Sequence, residues 1–309
     1  MRIAIMGAGG FGGAIGGLLT RAGEDVSFVA RGAHLKAIRS RGLTIKSPGA
    51  SDITIQALAT DDPAEVGPVD LIVFGVKLYD LERAAEQMRP MIGAETVILP
   101  IQNGIDAAER IAQVVGSDAV IGGTLLSGGR IEAPGVIFHP PLPNTITLGE
   151  LGGGTSPRIE RSQATLEGAG FRTEVPPNVR VPIWKKFVLQ VGVGGVMAMT
   201  RLTAGPIRTC PETRDLLRGV FEETAAVGRA SGVSIPGDCV DGHMALHDQV
   251  PPTTQGSLLT DLLDGRRLEL DSLGGTVVRL GRDFRVPTPL NFAVYAALKP
   301  YVDGAPTRP

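Results

Sequence analysis

The stretch MGAGGFGGAIGGLL, residues 6–19, sets Gly7, Gly9 and Gly12 in a G-x-G-x-x-G spacing, directly after the apolar run RIAIM and at the head of a helix-like pattern. That spacing suits a dinucleotide. Gly7 permits a tight turn, Gly9 lets the backbone approach a pyrophosphate, and Gly12 lets helix and strand pack closely. Ala8, Gly10 and Phe11 fill the same turn, whose unpaired N–H groups at a helix N-terminus favour phosphate. Alone, the pattern could be an ordinary glycine-rich turn; on the first strand of a chain that continues βαβ, it predicts a cofactor. After the second predicted strand, in FVARGAHLKA, Arg31 stands where an NAD site would carry Asp or Glu for the ribose hydroxyls. A guanidinium there can grip a 2′-phosphate in bidentate fashion, so NADPH is the expected cofactor; the bland reading is a solvated surface arginine.

Hydride delivered to a ketone leaves an alkoxide, so some group must give that oxygen a proton. The histidines are few: His34 beside the phosphate turn, His139 in a strand-like segment closing the first domain, and His243 and His247 in a helical surface stretch. A lysine is the donor that remains. IWKKFVLQVGVGG, residues 183–195, puts Lys185 and Lys186 at the head of an apolar helix that turns glycine-rich. Lys186, Gln190 and Gly194 fall at i, i+4 and i+8, so one face presents an ammonium, an amide and bare backbone, with Lys185 turned to solvent. Gly192, Gly194 and Gly195 each cost the helix about 1 kcal/mol relative to alanine. Such a loss implies close approach, either of another helix or of a ligand in a widened pocket. HMALH, residues 243–247, has the i, i+4 spacing of a metal pair but lacks the glutamate of the zinc-protease pattern and a third ligand, so no metal is expected. On spacing alone, Ser257 reads as a helix-start residue, Glu269 and Asp271 as a solvated pair, and Met197 and Met199 as core.

These groups need elements to hold them. From residue 2 to about 175, strand-like runs (RIAIM, VSFVA, LIVFG, TVILP, AVIGGTLL) alternate with amphipathic stretches at 11–22, 79–91 and 104–115. Several of the strands are apolar throughout, as in a parallel sheet covered on both faces. GVIFH and TITLG look like a hairpin or edge addition, and FRTEV like one more strand. After VPPNVRV the strands stop, and helices are predicted at 181–200, 211–231, 254–263, 267–283 and 288–300, with a frayed tail, DGAPTRP. The expected fold class is α/β: a Rossmann-type doubly wound sheet over residues 1–177, followed by an all-helical substrate and catalytic domain over 178–309.

Composition narrows the partners. Hydrophobic residues are 43%, charged residues 20% and aromatics 4%, and the formal net charge is −2, so neither nucleic acid nor an anionic membrane is suggested. Cys210 and Cys239 are too few for a disulfide framework. The opening apolar run is too short for a signal peptide, and no segment approaches the roughly 20 apolar residues of a membrane helix, so a cytoplasmic, soluble chain is expected.

The glycine turn, ARGAHL at 30–35, VK at 76 and 77, QNGI at 102–105, the lysine opening the second domain, GRRLELDSLGG and VPTPLN together resemble the ketopantoate reductase (2-dehydropantoate 2-reductase) family. The likeness runs over nearly the whole chain, and these individually modest motifs are specific in this order. The resemblance implies NADPH-dependent reduction of a branched 2-oxo acid to a 2-hydroxy acid, in a cleft between the two domains. It also implies roles by position. Lys186 is the catalytic lysine, Asn103 contacts cofactor and substrate, Lys77 lies near the nicotinamide, and the backbone at Gly129 touches the cofactor. Ser257 binds the substrate carboxylate, and Glu269 sits at the mouth of the site on the cofactor side, where it would oppose the lowering of the lysine pKa by desolvation. The chain departs from the family where two asparagines follow the lysine on its helical face, here Gln190 and Gly194, and where a third is here Ala204. A site that hydrogen-bonds a particular hydroxyl discriminates by roughly 10⁴-fold or more. The alternatives are therefore a reductase for a different branched or bulky 2-oxo acid and an NADPH-sensing protein without turnover, although Lys186, Ser257 and Glu269 together speak against the sensor. An apolar face of the second domain could support a homodimer.

Overall fold

The computed structural model describes residues 1–140 and 144–304. The chain divides into two compact units, residues 1–102 with 106–179, and residues 103–105 with 180 onward.

The first unit begins with β1 (Arg2–Met6), α1 (Gly10–Arg21), β2 (Asp25–Val29), α2 (Gly32–Arg41), β3 (Leu43–Lys46), β4 (Ile53–Ile55), β5 (Leu58–Thr60) and β6 (Val69–Phe74). It continues with α3 (Leu81–Gln87), β7 (Ile92–Pro100), α4 (Ala107–Val115), β8 (Gly122–Leu126), β9 (Arg130–Ala133), β10 (Val136–Phe138), β11 (Thr145–Gly149), α5 (Pro157–Gly168) and β12 (Arg172–Glu174). The central sheet has the order β5-β2-β1-β6-β7, every neighbouring pair parallel. Alternate residues of its middle strands serve two cores. Ile3, Ile5, Leu71 and Val73 pack into one cluster, while Ala4, Met6, Ile72 and Phe74 pack into another. A strand buried on both faces has no polar side to show, which is why these runs read as unbroken apolar sequence.

GVIFH and TITLG do not form the predicted hairpin. β10 pairs with β3 in parallel and β9 antiparallel, whereas β11 pairs with β8 antiparallel and β12 in parallel. Each run alternates well enough to satisfy any sheet; β9 is the strand directly before β10, but β3 lies about 90 residues away and β8 and β12 about 20 to 25 from β11. β3, β4, β5 and β9, and the helices α2 and α5, escaped prediction because they are short or polar. The end of AVIGGTLL turns at its glycines: Val120 bridges to Ile98 of β7, and the chain then leaves as β8.

The second unit is helical: α6 (Arg180–Thr200), α7 (Ala204–Thr209), α8 (Pro211–Ala230), α9 (Cys239–Gln249), α10 (Ser257–Leu263), α11 (Gly274–Asp283) and α12 (Pro289–Leu298). Phe187, Val188, Val191, Val196 and Met197 of α6 lie in its core. The start of α12 is tied to α8 through Glu223, whose carboxylate accepts from the N–H groups of Leu290 and Asn291, both at 2.9 Å, and from Asn291 Nδ2 at 2.8 Å. Those donors would otherwise be orphans of a helix N-terminus.

Three expectations change here. The helix predicted at 267–283 starts only at Gly274, because residues 266–269 form no regular turn and 270–273 form a turn in which Ser272 and Leu273 donate to the Glu269 carbonyl. His247 is not on a surface stretch but is 2% exposed, on the inner side of α9. The tail is held where it begins, since Leu268 N–H donates to the Val302 carbonyl at 2.8 Å and Asp303 pairs with Arg267 at 3.5 Å. The remainder of the tail lies outside the described residues. Among those described, no helix is long and apolar enough to cross a membrane.

Candidate active site

In the first unit the predicted cofactor residues gather at the carboxyl ends of parallel strands, with Gly7–Gly12 after β1, Arg31 after β2 and Lys77 after β6. The strand order reverses between β1 and β6, and the crevice at such a switch point is where open α/β sheets bind ligands. Each glycine of the turn has its own reason. Gly7 has φ +100°, and a Cβ there would lie 2.9 Å from Val76 Cγ1. A Cβ on Gly12 would lie 2.2 Å from the Gly7 carbonyl oxygen, so α1 and the turn touch through bare backbone. Gly10 and Gly129 face each other as closely: a Cβ on Gly10 would be 2.3 Å from the Gly129 oxygen, and one on Gly129 would be 2.6 Å from the Gly10 oxygen. Gly9 differs. A Cβ there would meet no atom within 4 Å, although its φ of −71° would admit any residue. The chain leaves open space at the glycine that a pyrophosphate must approach, and the turn fits a dinucleotide.

Arg31 is exposed, with its guanidinium 3.9 Å from Asp80 Oδ2, while the other oxygen of Asp80 accepts from Arg83 at 3.0 Å. Lys77 is half-buried and heads the short turn that carries Asp80. His34 Nδ1 accepts from Gly135 N–H at 3.0 Å, and burial lowers the imidazole pKa, opposed by the Ala8 backbone, which favours the charged form. His139 is buried, its Nε2 lying 3.0 Å from Asn144 Oδ1.

In the second unit Lys186 projects from the first turns of α6. Burial pushes its ammonium down to about 7, against the pull of the Glu269 carboxylate, which favours the charged form. Glu269 is itself buried, in the segment between α10 and α11. Gly256 N–H donates to Met197 Sδ at 3.2 Å, and Gly256 sits against Gly194 of α6. That contact seats the start of α10, and with it exposed Ser257, beside the helical face of Lys186, Gln190 and Gly194. Ser257 is the first residue of α10 and follows the N-cap, Gly256, so it does not cap the helix. Ala204 is fully buried, with its N–H on the Thr254 carbonyl; Asn103 is half-buried just after β7. Lys185 is exposed as predicted, and its carbonyl accepts from His243 Nε2 at 2.8 Å. Among the described residues no group of three His, Cys, Asp or Glu is placed to hold a metal ion.

The glycines of α6 separate into two kinds. A Cβ on Gly192 would lie 2.3 Å from the Phe221 ring, and one on Gly195 2.9 Å from Val294 Cγ1, so both are packing glycines. A Cβ on Gly194 would meet only Leu258 Cβ at 3.6 Å, an ordinary contact. Gly194→Ala should therefore stabilise the protein, by up to about 1 kcal/mol through helix propensity, while Gly192→Ala should destabilise it. Thermal denaturation of the two variants checks this, and equal losses would mean that Gly194 also packs.

Asp271 is not half of a solvated pair. Its Oδ1 accepts from Tyr295 Oη at 2.7 Å and from Lys299 Nζ at 2.6 Å. No local spacing could have signalled partners so distant in the chain.

Residues 3–153 match the family described as Ketopantoate reductase PanE/ApbA, and residues 178–302 its C-terminal counterpart, Ketopantoate reductase PanE/ApbA C terminal. The chain is 32% identical to a 2-dehydropantoate 2-reductase of Mesorhizobium japonicum, over 97% of each chain. It is 30% identical to one of Halobacterium salinarum, over 94% of this chain and 95% of the other. The crystal structure of 2-dehydropantoate 2-reductase from Geobacter metallireducens superposes with a TM-score of 0.91 at 30% identity, covering 97% of this chain and 99% of that one.

Proposed function

The chain belongs to the ketopantoate reductase family, whose members are nicotinamide-dependent oxidoreductases acting on a CH–OH group, and from that premise we propose that it uses NADPH to reduce a 2-oxo acid to the 2-hydroxy acid, as 2-dehydropantoate to pantoate. The observation that carries the reading is the Lys186 amine, brought to about 7 beside Glu269 on a face it shares with Gln190.

Gly7, Ala8, Gly9, Gly10, Phe11, Gly12 and Gly129 would hold the pyrophosphate, Arg31 the 2′-phosphate, and Lys77 and Asn103 the nicotinamide end. Bound there, the reduced nicotinamide supplies the hydride. Lys186 donates its proton to the carbonyl oxygen as negative charge develops on it, and a lysine titrating near neutrality is a far better acid than one at 10.5. Glu269 keeps a useful fraction of that amine protonated. The Ser257 hydroxyl meets the substrate carboxylate, and the Gln190 amide orients the substrate oxygens.

Gly194 favours a second reading of the substrate. It leaves room on the face of Lys186 and Gln190 and offers no amide, which suits an acid with a bulkier or less hydroxylated side chain. The test is the initial rate of NADPH and NADH oxidation with ketopantoate, 2-oxoisovalerate, 2-oxoisocaproate and phenylpyruvate. NADPH should be preferred and at least one 2-oxo acid turned over. Preference for ketopantoate by orders of magnitude in kcat/KM selects the first substrate, and preference for another acid selects the second. NADPH binding with no turnover of any 2-oxo acid would sink the reductase reading.

A further inference from the structure

Glu269 lies in neither helix. The irregular stretch 266–269 and the turn 270–273 must hold a buried carboxylate beside a buried amine without the rigidity of an α-helical backbone. Leu268 and Leu270 on either side are buried and fix how deeply the segment sits. The polar ties come from the end of the chain. One residue before Glu269, Leu268 N–H donates to the Val302 carbonyl at 2.8 Å. Two residues after it, Asp271 Oδ1 takes both Tyr295 Oη, from α12, and Lys299 Nζ, from the turn that follows. Arg267 and Asp303 add an ion pair at 3.5 Å. Glu269 is thus bracketed by ties to residues 295–303, and these fix the rotation of a segment that the two leucines only anchor.

We infer that Tyr295 and Lys299 are positioning residues: through Asp271 they brace the segment that carries Glu269 and so hold its carboxylate toward the Lys186 amine. The inference rests on the proton-donor reading of Lys186. The charged and titratable groups around Asp271 are Lys299, Tyr295 and Arg267, and the carboxylate acting on Lys186 is Glu269. The Tyr295 ring packs against the helical core and Gly275, and phenylalanine keeps that ring, so removing the hydroxyl and the exposed Lys299 ammonium loosens the brace without opening a cavity.

Because Glu269 favours the charged form of Lys186, loosening the brace should lower the lysine pKa. The protonated fraction at a given pH falls, and the basic limb of the reductive rate moves to lower pH. The variant Tyr295→Phe with Lys299→Met removes both donors and keeps the bulk. Two readouts separate the brace from the reading it rests on: the pH profile of kcat/KM for reduction, and the pKa of Lys186 measured from the pH dependence of its acetylation by acetic anhydride, followed by mass spectrometry. Both should shift down by roughly one unit. Glu269→Gln should reproduce the shift, and adding the double substitution to it should move the pKa no further. Lys299→Arg, which keeps a donor and a charge, should retain the parent values. If the double variant proves unstable, Lys299→Met alone, with the tyrosine tie intact, should give a smaller shift of the same sign. A Lys186 pKa unmoved in the double variant but moved in Glu269→Gln would overturn the brace. A pKa that moves while the activity limb does not would uphold the brace and overturn the proton-donor reading.

Discussion

Lys186→Met should lower the rate of 2-oxo acid reduction by roughly 10²- to 10⁴-fold, the usual range for loss of a positioned proton donor, and leave NADPH affinity within about twofold. The amine that is lost has been placed at considerable cost. Burial brings it down to about 7, and Glu269 resists that shift. An unpaired lysine in water would be fully protonated at neutral pH but too weak an acid to help an alkoxide form. The parent enzyme should show the sign of this arrangement directly: the group must be protonated to act, so the reductive rate is full below about 7 and is lost as pH rises through the lysine pKa. In Lys186→Met that basic limb should vanish along with most of the rate. Methionine fills the volume but leaves Glu269 facing an uncharged neighbour, so circular dichroism must accompany the kinetics. A folded variant that loses NADPH affinity and turnover in equal measure would remove Lys186 from the chemistry and make it a cofactor contact.

The second large effect is expected at Gly9. Gly9→Ala should weaken NADPH between about fivefold and about 150-fold, the range for one to three kcal/mol of overlap, with a fall of no more than a few degrees in melting temperature. The reasoning runs through space. The protein has no atom within 4 Å of the Cβ that alanine would add, and the backbone at Gly9 is already in a region open to every residue. As an N-cap, alanine is poorer than glycine by on the order of 1 kcal/mol, which limits the expected fall in melting temperature to a few degrees. Among the described residues nothing lies in the methyl group's way, so a loss of affinity would report a ligand against Gly9. Gly12→Ala is the contrasting control, since its Cβ would fall 2.2 Å from the Gly7 carbonyl oxygen and should cost stability as well as affinity. Fluorescence titration with NADPH beside thermal denaturation reads both variants. Undiminished affinity in Gly9→Ala would mean that the dinucleotide does not approach the chain there.

What the sequence made legible follows the range of the interactions. The alternation of β1, α1 and β2, the glycine turn and the apolar strands of a two-sided sheet are local patterns, and each could be read from a window of a few residues. The face of Lys186, Gln190 and Gly194 was equally legible, because helical spacing fixes it. What those glycines were for was not. Gly192 answers to Phe221 and Gly195 to Val294, on helices that no window around α6 contains. The same holds for Asp271, which local spacing makes a solvated acid and Tyr295 and Lys299 make an anchor. His247 reads as polar surface until α9 is seen to turn it inward. The run at 267–273 reads as helical, yet the ties of Leu268 to Val302 and of Arg267 to Asp303 hold its first half as irregular chain, and α11 begins only at Gly274.

The contact between Gly10 and Gly129 also sets an order of events in folding. Gly129 faces Gly10 from just before β9, which pairs with β10, and β10 is located by its parallel pairing with β3, Val136 opposite Thr44. Such pairing closes a long loop, so it is slow and comes after local helices and neighbouring strands have formed. The glycine turn leaves the ribosome well before residues 130–138, and its opposite wall does not exist until those residues have been synthesised and paired. A dinucleotide held between Gly10 and Gly129 would therefore stabilise only a unit in which β10 has already paired with β3.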